Sequence, residues 1–119
     1  MTTREMGLFG EAETAKELRR RGYTLLAHSY RCRFGEIDLI AEKDGVLCFV
    51  EVKLRSSTGH GLPREFVDGR KQEKLRKTAA WYLAEKQLDC PMRFDVAEVY
   101  IEEKSVPRLL RLNYMENAF

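Results

Sequence analysis

Apolar and polar residues alternate most clearly in the stretch GEIDLIAEKDGVLCFVEVK, which begins at Gly35. In its first half Ile37, Leu39 and Ala41 alternate with other side chains, and this period of two predicts a strand with all three on one face. The second half, Val46–Leu54, is apolar at nearly every position, which is typical of a strand covered on both faces. Between the halves, an Asp-Gly pair favours a tight hairpin turn.

Two further segments have helical periodicity, with apolar residues recurring every three or four positions. The first helix is predicted over Gly7–Arg21, and its buried stripe is expected to consist of Leu8, Ala12, Ala15 and Leu18. The second helix is predicted from Asp68 or Gly69 to about Gln87, and its apolar side is expected to consist of Leu75, Ala79, Tyr82 and Leu83.

Three more apolar runs are predicted as strands, over Tyr23–Ala27, Met92–Ile101 and Arg108–Tyr114. We expect His28–Phe34 to be a polar and aromatic connection, and Leu54–Pro63 to be a loop beside the second long strand. The order of elements predicts an α/β fold, a three-layer sandwich with a central mixed β-sheet flanked by helices. At 119 residues, the chain is expected to form one domain over its whole length.

Charged side chains interrupt the two long strands where a buried strand should have none. Glu51 and Lys53 are two residues apart and project from one face, and Asp38 reaches the same patch if the hairpin pairs in register. Buried charges persist when they are paired, solvated or bound to a metal ion. Two carboxylates beside an amine suit Mg²⁺ or Mn²⁺. The alternative is an ordinary ion pair between Glu51 and Lys53.

A third carboxylate, Glu11, lies three residues after Leu8 and seven before Leu18, on the predicted apolar stripe of the first helix. A carboxylate on a packed face breaks the expected pattern, and such breaks often mark functional sites. The alternative places Glu11 at the edge of the stripe, where the positive end of the helix dipole favours it. Asp95, inside an apolar run, is expected to be a structural partner of a basic residue.

The ordered set of these motifs resembles a known family. Asp38 followed by Glu51-Val52-Lys53 at the end of an apolar strand is similar to the pattern of PD-(D/E)xK nucleases. More closely, four segments resemble the YraN family, also called UPF0102: GxxGE from Gly7, GEIDLIA from Gly35, FVEVK from Phe49 and RFDV from Arg93. The resemblance extends to NAF at residues 117–119. It implies a restriction-endonuclease-like core similar to that of archaeal Holliday-junction resolvases.

The resemblance implies a Mg²⁺-dependent (or Mn²⁺-dependent) endonuclease that hydrolyses phosphodiester bonds in DNA, including branched, Holliday-junction-like DNA. In that family pattern Asp38, Glu51 and the backbone carbonyl of Val52 hold the metal ion, and Glu11 completes its shell directly or through water. Lys53 is then expected to orient the attacking water or to stabilise the transition state electrostatically. Resolvases tend to carry a longer loop before the aspartate, so a preference for four-way junctions does not follow.

Basic side chains near this patch are the candidates for contacts with phosphate groups. The full set is Arg31, Arg33, Arg55, Arg70, Lys71, Lys74 and Lys77. Lys71 is the strongest of them, because related nucleases place a lysine-bearing helix at the site. One alternative is that Arg31 and Arg33 pair with Glu36 or Glu42. The other is that the basic ridge of the second helix is only a solvated face; this ridge consists of Arg70, Lys71, Lys74 and Lys77.

Composition limits the picture further. Apolar residues make up 44% and charged residues 34% of the chain, as in ordinary globular proteins. The net charge is only +2, so any affinity for nucleic acid must come from a local basic patch. We expect no membrane span and no secretory signal, because the required apolar runs are missing. Three cysteines without a C-x-x-C pair favour a cytoplasmic protein and disfavour a zinc site.

Two other functions stay open at the level of sequence. One is a module with a nuclease-like fold that binds nucleic acid without cutting it, and its ligand could be RNA as well as DNA. The other is a structural or interaction domain whose charges form ordinary ion pairs, which predicts no affinity for DNA even at low salt. Paired cuts on a branched DNA would require a homodimer, and no segment of the sequence marks a dimer face.

Overall fold

The computed structural model describes residues 2–56 and 67–119, in which two helices pack on a five-stranded sheet. In chain order the elements are α1 (Thr3–Arg20), β1 (Thr24–Cys32), β2 (Gly35–Lys43), β3 (Val46–Ser56), α2 (Gly69–Glu85), β4 (Met92–Glu102) and β5 (Arg108–Met115). The strands lie side by side in the order β1-β2-β3-β4-β5. β3 and β4 are parallel and the other neighbours are antiparallel, so the predicted mixed sheet is confirmed.

The two helices cover opposite faces of the sheet, each over its own apolar core. The core under α1 includes Ala15, Leu18, Leu39, Val50 and Ala97. The core under α2 includes Phe49, Leu75, Ala79, Tyr82 and Phe94. The predicted three-layer α/β sandwich is therefore confirmed, and β3 lies in its middle with side chains buried on both faces.

The buried side of α1 differs from the prediction. Leu8 is 45% exposed and Ala12 is exposed as well, so the expected stripe is wrong in its first half. The buried residues are Gly10, Thr14, Ala15 and Leu18. A Cβ on Gly10 would lie 2.9 Å from Leu54 Cδ2, so the helix backbone approaches β3 through its small residues. The Thr14 hydroxyl is satisfied inside the helix, because it donates to the Gly10 carbonyl oxygen at 2.8 Å.

The hairpin between β2 and β3 forms as predicted. Asp44 and Gly45 have φ values of 52° and 79°, and two positive φ values in a two-residue loop are those of a type I′ turn. Pairing runs from Lys43–Val46 to Leu39–Val50. β3 then continues to Ser56 beside β4, so the first residues of the predicted Leu54–Pro63 loop are strand. The remainder of that loop, including His60, lies outside the described residues.

β1 is longer than predicted and is irregular in its second half. Residues beyond Ala27 continue the strand because they pair with β2, as Tyr30 does with Ile37. Ser29, opposite Asp38 in this register, has a φ of 51°. Such a residue departs from extended geometry and disturbs the alternation of side chains on the strand.

The predicted common face of β2 is wrong at one position. Leu39 and Ala41 do share the α1 side of the sheet, but Ile37 packs in the core under α2 together with Ile40. Two residues three apart on one face do not fit an alternation of period two. The departure lies on the stretch of β2 that pairs with the irregular part of β1, at Asp38.

The last two strands form within one residue of their predicted bounds. In β4, Phe94 and Val96 face α2 and Ala97 faces α1. β5 is an edge strand beside β4. Asp95 is fully buried and forms an ion pair with Arg93 at 3.0 Å, which confirms its expected structural role. Neither described helix has the length and apolar character needed to cross a membrane.

Candidate active site

Asp38 lies at the point where β2 and β3 part. The described ladder between the two strands ends at the Leu39–Val50 pair, one residue before Asp38. Asp38 Oδ2 accepts a hydrogen bond of 2.8 Å from the Val52 N–H, a donor that a longer ladder would have paired with a backbone carbonyl. The carboxylate is thereby fixed to the backbone of the Glu51-Val52-Lys53 segment, in the fork between the strands.

Glu51 is the carboxylate on the other side of this fork. Its residue is only 7% exposed, and its Oε1 lies 2.9 Å from Lys71 Nζ and 3.9 Å from Lys53 Nζ. The ion pair between Glu51 and Lys53 that the sequence left open is therefore present, but the closer cation comes from α2. The structure brings Asp38, Glu51, Lys53 and Lys71 together around one point.

The pKa of Asp38 is raised to about 7, first by burial and next by the nearby charge of Glu51, while the Val52 hydrogen bond opposes the shift. On Lys71, burial alone would lower the pKa of the amine. The hydrogen bond to Glu51 and the charges of Glu51 and Asp38 outweigh that effect, so the pKa of Lys71 is raised. Asp38, Glu51 and Lys71 therefore interact electrostatically in the fork, where the two carboxylates favour a bound cation.

Glu11 joins this group from α1. Gly10 lets the helix approach β3, and the next residue, Glu11, is half-buried beside the fork. Its Oε1 accepts a hydrogen bond of 3.3 Å from the Ser29 hydroxyl of β1. Burial raises the pKa of Glu11 and the Ser29 hydrogen bond opposes this, while the charge of Glu51 is among the smaller causes that raise it. Glu11, Asp38 and Glu51 therefore act electrostatically on one another.

The donor set can be tested against the metal ion that the family pattern implies. Within residues 2–56 and 67–119, no three acidic, histidine or cysteine side chains lie close enough together to hold a metal ion. The chemistry fits nevertheless, because Asp38 and Glu51 are carboxylates with oxygen donors, and burial followed by the nearby charge of Glu51 raises the pKa of Asp38. The Lys71 ammonium lies 2.9 Å from Glu51 and is the cation that pairs with this carboxylate.

The basic candidates fall into two groups. Arg31 pairs with Glu36 at 3.3 Å, so the alternative partner named from the sequence is confirmed for this arginine. Arg33 lies in the turn after β1, with its guanidinium 5.0 Å from the centre of the Phe34 ring. Both arginines are exposed, and an exposed ion pair holds its partners weakly.

The second group lies on α2 and β3. Arg55 is 3.7 Å from Glu98, and Lys77 is 3.3 Å from Glu73 within the helix. Arg70 and Lys74 are exposed. A cleft of about 240 Å³ between the start of β2 and α2 is lined by Gly35, Glu36, Lys71, Lys74, Leu75 and Thr78. Two of the predicted basic residues of α2, Lys71 and Lys74, therefore line an open cleft, and Lys71 links this cleft to Glu51.

Two residues of this region were missed by the sequence analysis. Glu98 is almost fully buried on β4, in register with Lys53, and accepts a hydrogen bond from Asn113 Nδ2 at 3.1 Å. A charged residue inside an apolar run is a signal that could have marked it. Ser29 orients Glu11, but its position depends on a positive φ that nothing in the local sequence indicates.

Comparison with known proteins places this site in a family. Residues 10–99, which include all three carboxylates, match the model of a family described as "Uncharacterised protein family UPF0102". The chain belongs to the UPF0102 family. This confirms the resemblance that the motifs indicated.

Curated relatives agree over nearly the whole length. A UPF0102 protein of Acetivibrio thermocellus is 43% identical over 98% of this chain and 92% of its own. One of Caldicellulosiruptor saccharolyticus is 38% identical over the full length of both chains. A third, from Lachnoclostridium phytofermentans, is 43% identical over the whole of this chain and 96% of its own. Their shared name gives the family and states no activity.

Proposed function

We propose that this protein is a divalent-metal-dependent endonuclease that hydrolyses phosphodiester bonds in DNA, including branched DNA. The observation that carries the proposal is the fork between β2 and β3, where Asp38 and Glu51 are held together with the amines of Lys53 and Lys71. Burial and the nearby charge of Glu51 raise the pKa of Asp38, and a divalent cation stabilises its ionised form better than one ammonium does.

In this proposal Asp38, Glu51 and the backbone carbonyl of Val52 hold Mg²⁺ or Mn²⁺, and Glu11 completes the shell directly or through water. When bound, the ion supplies acidification of a water molecule and neutralisation of the charge that grows on the phosphate. The chain fixes these donors before any substrate arrives: Val52 N–H orients Asp38, and Ser29 orients Glu11.

The two amines have separate roles. Lys53 projects from the same face of β3 as Glu51, where its ammonium can orient a water molecule or stabilise negative charge in the transition state. Lys71 and a metal ion are alternative partners of Glu51, and Lys71 is also the candidate for contact with a substrate phosphate beside the site. Exposed Arg70 and Lys74 extend the positive surface along the cleft.

Cleavage assays on linear, flapped and four-way DNAs with Mg²⁺ or Mn²⁺ test the proposal. We expect Asp38→Asn and Glu51→Gln each to lower the cleavage rate by at least about 100-fold, or about 2.7 kcal/mol of barrier. Glu36→Gln is the matched control, since it removes an exposed carboxylate from the same cleft and should cleave as wild type does. Undiminished cleavage by both site variants would refute the assignment.

A second function, a module that binds nucleic acid without cutting it, is favoured by one contact. The 2.9 Å ion pair of Lys71 with Glu51 neutralises the carboxylate without a metal ion. On this account RNA is as good a ligand as DNA, because phosphate contacts do not distinguish the two. Salt-dependent binding with no cleavage of any substrate at any concentration of Mg²⁺ or Mn²⁺ would favour the binding module.

The proposal extends to assembly and location. Paired cuts on a four-way junction require two copies of the site, so we propose that junction cleavage is carried out by a homodimer. Sedimentation of the protein with a junction DNA would then give two chains per junction, and one chain per junction would contradict this. The three free cysteines, Cys32, Cys48 and Cys90, suit a reducing cytoplasm.

A further inference from the structure

An aromatic pair adjoins the cleft at the end away from Lys71. Trp81 of α2 and Phe34 of the turn before β2 meet edge to face, with ring centres 5.7 Å apart. Trp81 lies three residues beyond Thr78, and Phe34 immediately precedes Gly35, so both rings adjoin residues that line the cleft. Trp81 is 41% exposed and does not belong to the buried side of its helix.

Gly35 permits this arrangement of turn and helix. Its φ of 151° is one that residues with a side chain rarely adopt, and a Cβ there would lie 3.3 Å from Thr78 Oγ1. The turn therefore comes down directly on α2 beside the cleft. One role of the Phe34–Trp81 contact is to hold the turn on the helix, but that role does not require a tryptophan face open to solvent.

The surroundings of the pair are cationic. The guanidinium of Arg33 lies over Phe34, and Lys74 and Lys77 precede Trp81 by seven and four residues on α2. Residues at these spacings share one side of a helix. An exposed aromatic ring beside cations is the combination with which proteins bind unstacked bases and the phosphates that join them.

We propose that Trp81 and Phe34 form a stacking site for an unpaired nucleobase, so that the substrate carries a single-stranded segment a few nucleotides from the phosphate that is cut. This inference rests on the proposed function and names the substrate class of the same site. The helical rise from Lys71 to Trp81 is about 15 Å, or roughly four nucleotides at the 3.4 Å spacing of a stacked strand. Bases inside a blunt duplex are already stacked on their neighbours and are not available to a surface tryptophan.

Trp81 is the only tryptophan of the chain, so its fluorescence reports directly on the site. The titration uses wild type in EDTA, where no cleavage occurs, with single-stranded DNA, single-stranded RNA, a gapped duplex and a blunt duplex. We expect quenching with the first three and none with the blunt duplex. DNA and RNA arms that quench at different concentrations identify the preferred strand.

Variants separate stacking from support of the turn. We expect Trp81→Ala and Phe34→Ala to bind labelled single strands about tenfold more weakly, with unchanged affinity for blunt duplex. Trp81→Phe keeps an aromatic face and should retain most of the single-strand affinity. Leu110→Ala is the control, because Leu110 is a similarly exposed apolar residue on the distant edge strand β5.

The outcomes are distinguishable. If duplex and single strands bind with the same salt dependence and Trp81 is quenched by neither or by both alike, the stacking site is refuted and the endonuclease proposal stands. If no nucleic acid binds wild type at low salt, both fail. Should Trp81→Ala not fold, the wild-type quenching titration and the Trp81→Phe affinities decide the matter.

Discussion

Asp38 is the residue on which the proposed metal site depends most. Its carboxylate is fixed by one backbone hydrogen bond, and burial followed by the nearby charge of Glu51 raises its pKa to about 7. A group in that condition weakens the fold when it ionises. The fold tolerates Asp38 because Lys71 partly compensates the charge of the fork.

The first prediction follows from the sign of this shift. The native pKa of Asp38 is about 7 and its ordinary value is 3.8, so its contribution to stability is present below pH 4 and is lost as the pH rises through 7. We expect Asp38→Asn to gain stability relative to wild type between pH 5 and pH 8, by about 2 kcal/mol. Urea unfolding in EDTA at the two pH values measures the difference.

Asp44→Asn is the control for this prediction, because Asp44 is an exposed turn residue whose left-handed backbone asparagine also accepts. Its stability relative to wild type should be the same at both pH values. A gap between Asp38→Asn and wild type that does not change with pH would show that the carboxylate is not destabilised in the native state.

At this scale the sequence identified the charged residues and some of their partners, but not the cation closest to Glu51. The order of Asp38, Glu51 and Lys53 along two strands was sufficient to bring them to one patch. That Lys71 would be the closest cation to Glu51 depends on how α2 lies over the sheet, which the spacing of residues within a helix does not fix. The irregular backbone at Ser29 was equally out of reach.

At the scale of elements, the approach of α1 to β3 determines where Glu11 lies. The predicted leucine stripe would have kept the helix at the distance of ordinary side-chain packing. Gly10 and Thr14 face the sheet instead, so the backbone comes close and Glu11 is carried to the fork. Periodicity predicted the helix correctly and its buried side wrongly, because glycine and threonine carry little apolar signal.

The second prediction compares alanine substitutions at two glycines of α1, Gly7 and Gly10. A Cβ on Gly7 would meet nothing within 4 Å, whereas one on Gly10 would press on Leu54. We expect Gly7→Ala to stabilise the protein by roughly 0.5–1 kcal/mol through helix propensity. Gly10→Ala should be about 1 kcal/mol less stable than Gly7→Ala, because Leu54 must move. Urea unfolding of both variants provides the comparison.

Activity adds a second readout to this pair. Displacement of α1 moves Glu11 from the fork, so Gly10→Ala should cleave more slowly than Gly7→Ala under the conditions of the cleavage assay. Equal stability and equal rates in the two variants would mean that the close approach of α1 to β3 is not required.

At the scale of the whole molecule, a polar cluster under α1 ties distant segments together. Asp95 accepts hydrogen bonds from Arg93 Nε at 3.0 Å, from the Tyr114 hydroxyl and from the Asn117 N–H at 2.9 Å. Tyr23, just before β1, accepts a hydrogen bond from Arg93 at 2.7 Å. The RFDV and NAF motifs of the family thus have a structural explanation, because they close the end of the chain onto β4.

The third prediction concerns this cluster. We expect Asp95→Asn to lower the free energy of unfolding by about 2 kcal/mol, since it removes the buried carboxylate that pairs with Arg93 at 3.0 Å and leaves that arginine with the exposed Glu116 at 3.5 Å. Glu102→Gln, which removes a surface carboxylate paired with Lys104, should change stability by less than about 0.5 kcal/mol. Thermal or urea unfolding would contradict this structural role if both variants were equally stable.

The overall architecture could be predicted because its signals are local. The hairpin turn, the doubly buried β3 and the order of helices and strands all follow from residues close together in the chain. The parallel pairing of β3 with β4 and the burial of Glu98 on β4 arise from long-range packing. The same holds for the Phe34–Trp81 contact, which joins two segments far apart in sequence.

Affinity for Mn²⁺, measured by calorimetry on the protein alone, tests most directly whether the fork is a cation site. We predict that wild type binds Mn²⁺, that Glu51→Gln binds at least about tenfold more weakly, and that Lys71→Met binds more tightly because the competing ammonium is gone. Lys77→Met, on the same helix but paired with Glu73, should match wild type. Equal affinities in wild type, Glu51→Gln and Lys71→Met would contradict the account.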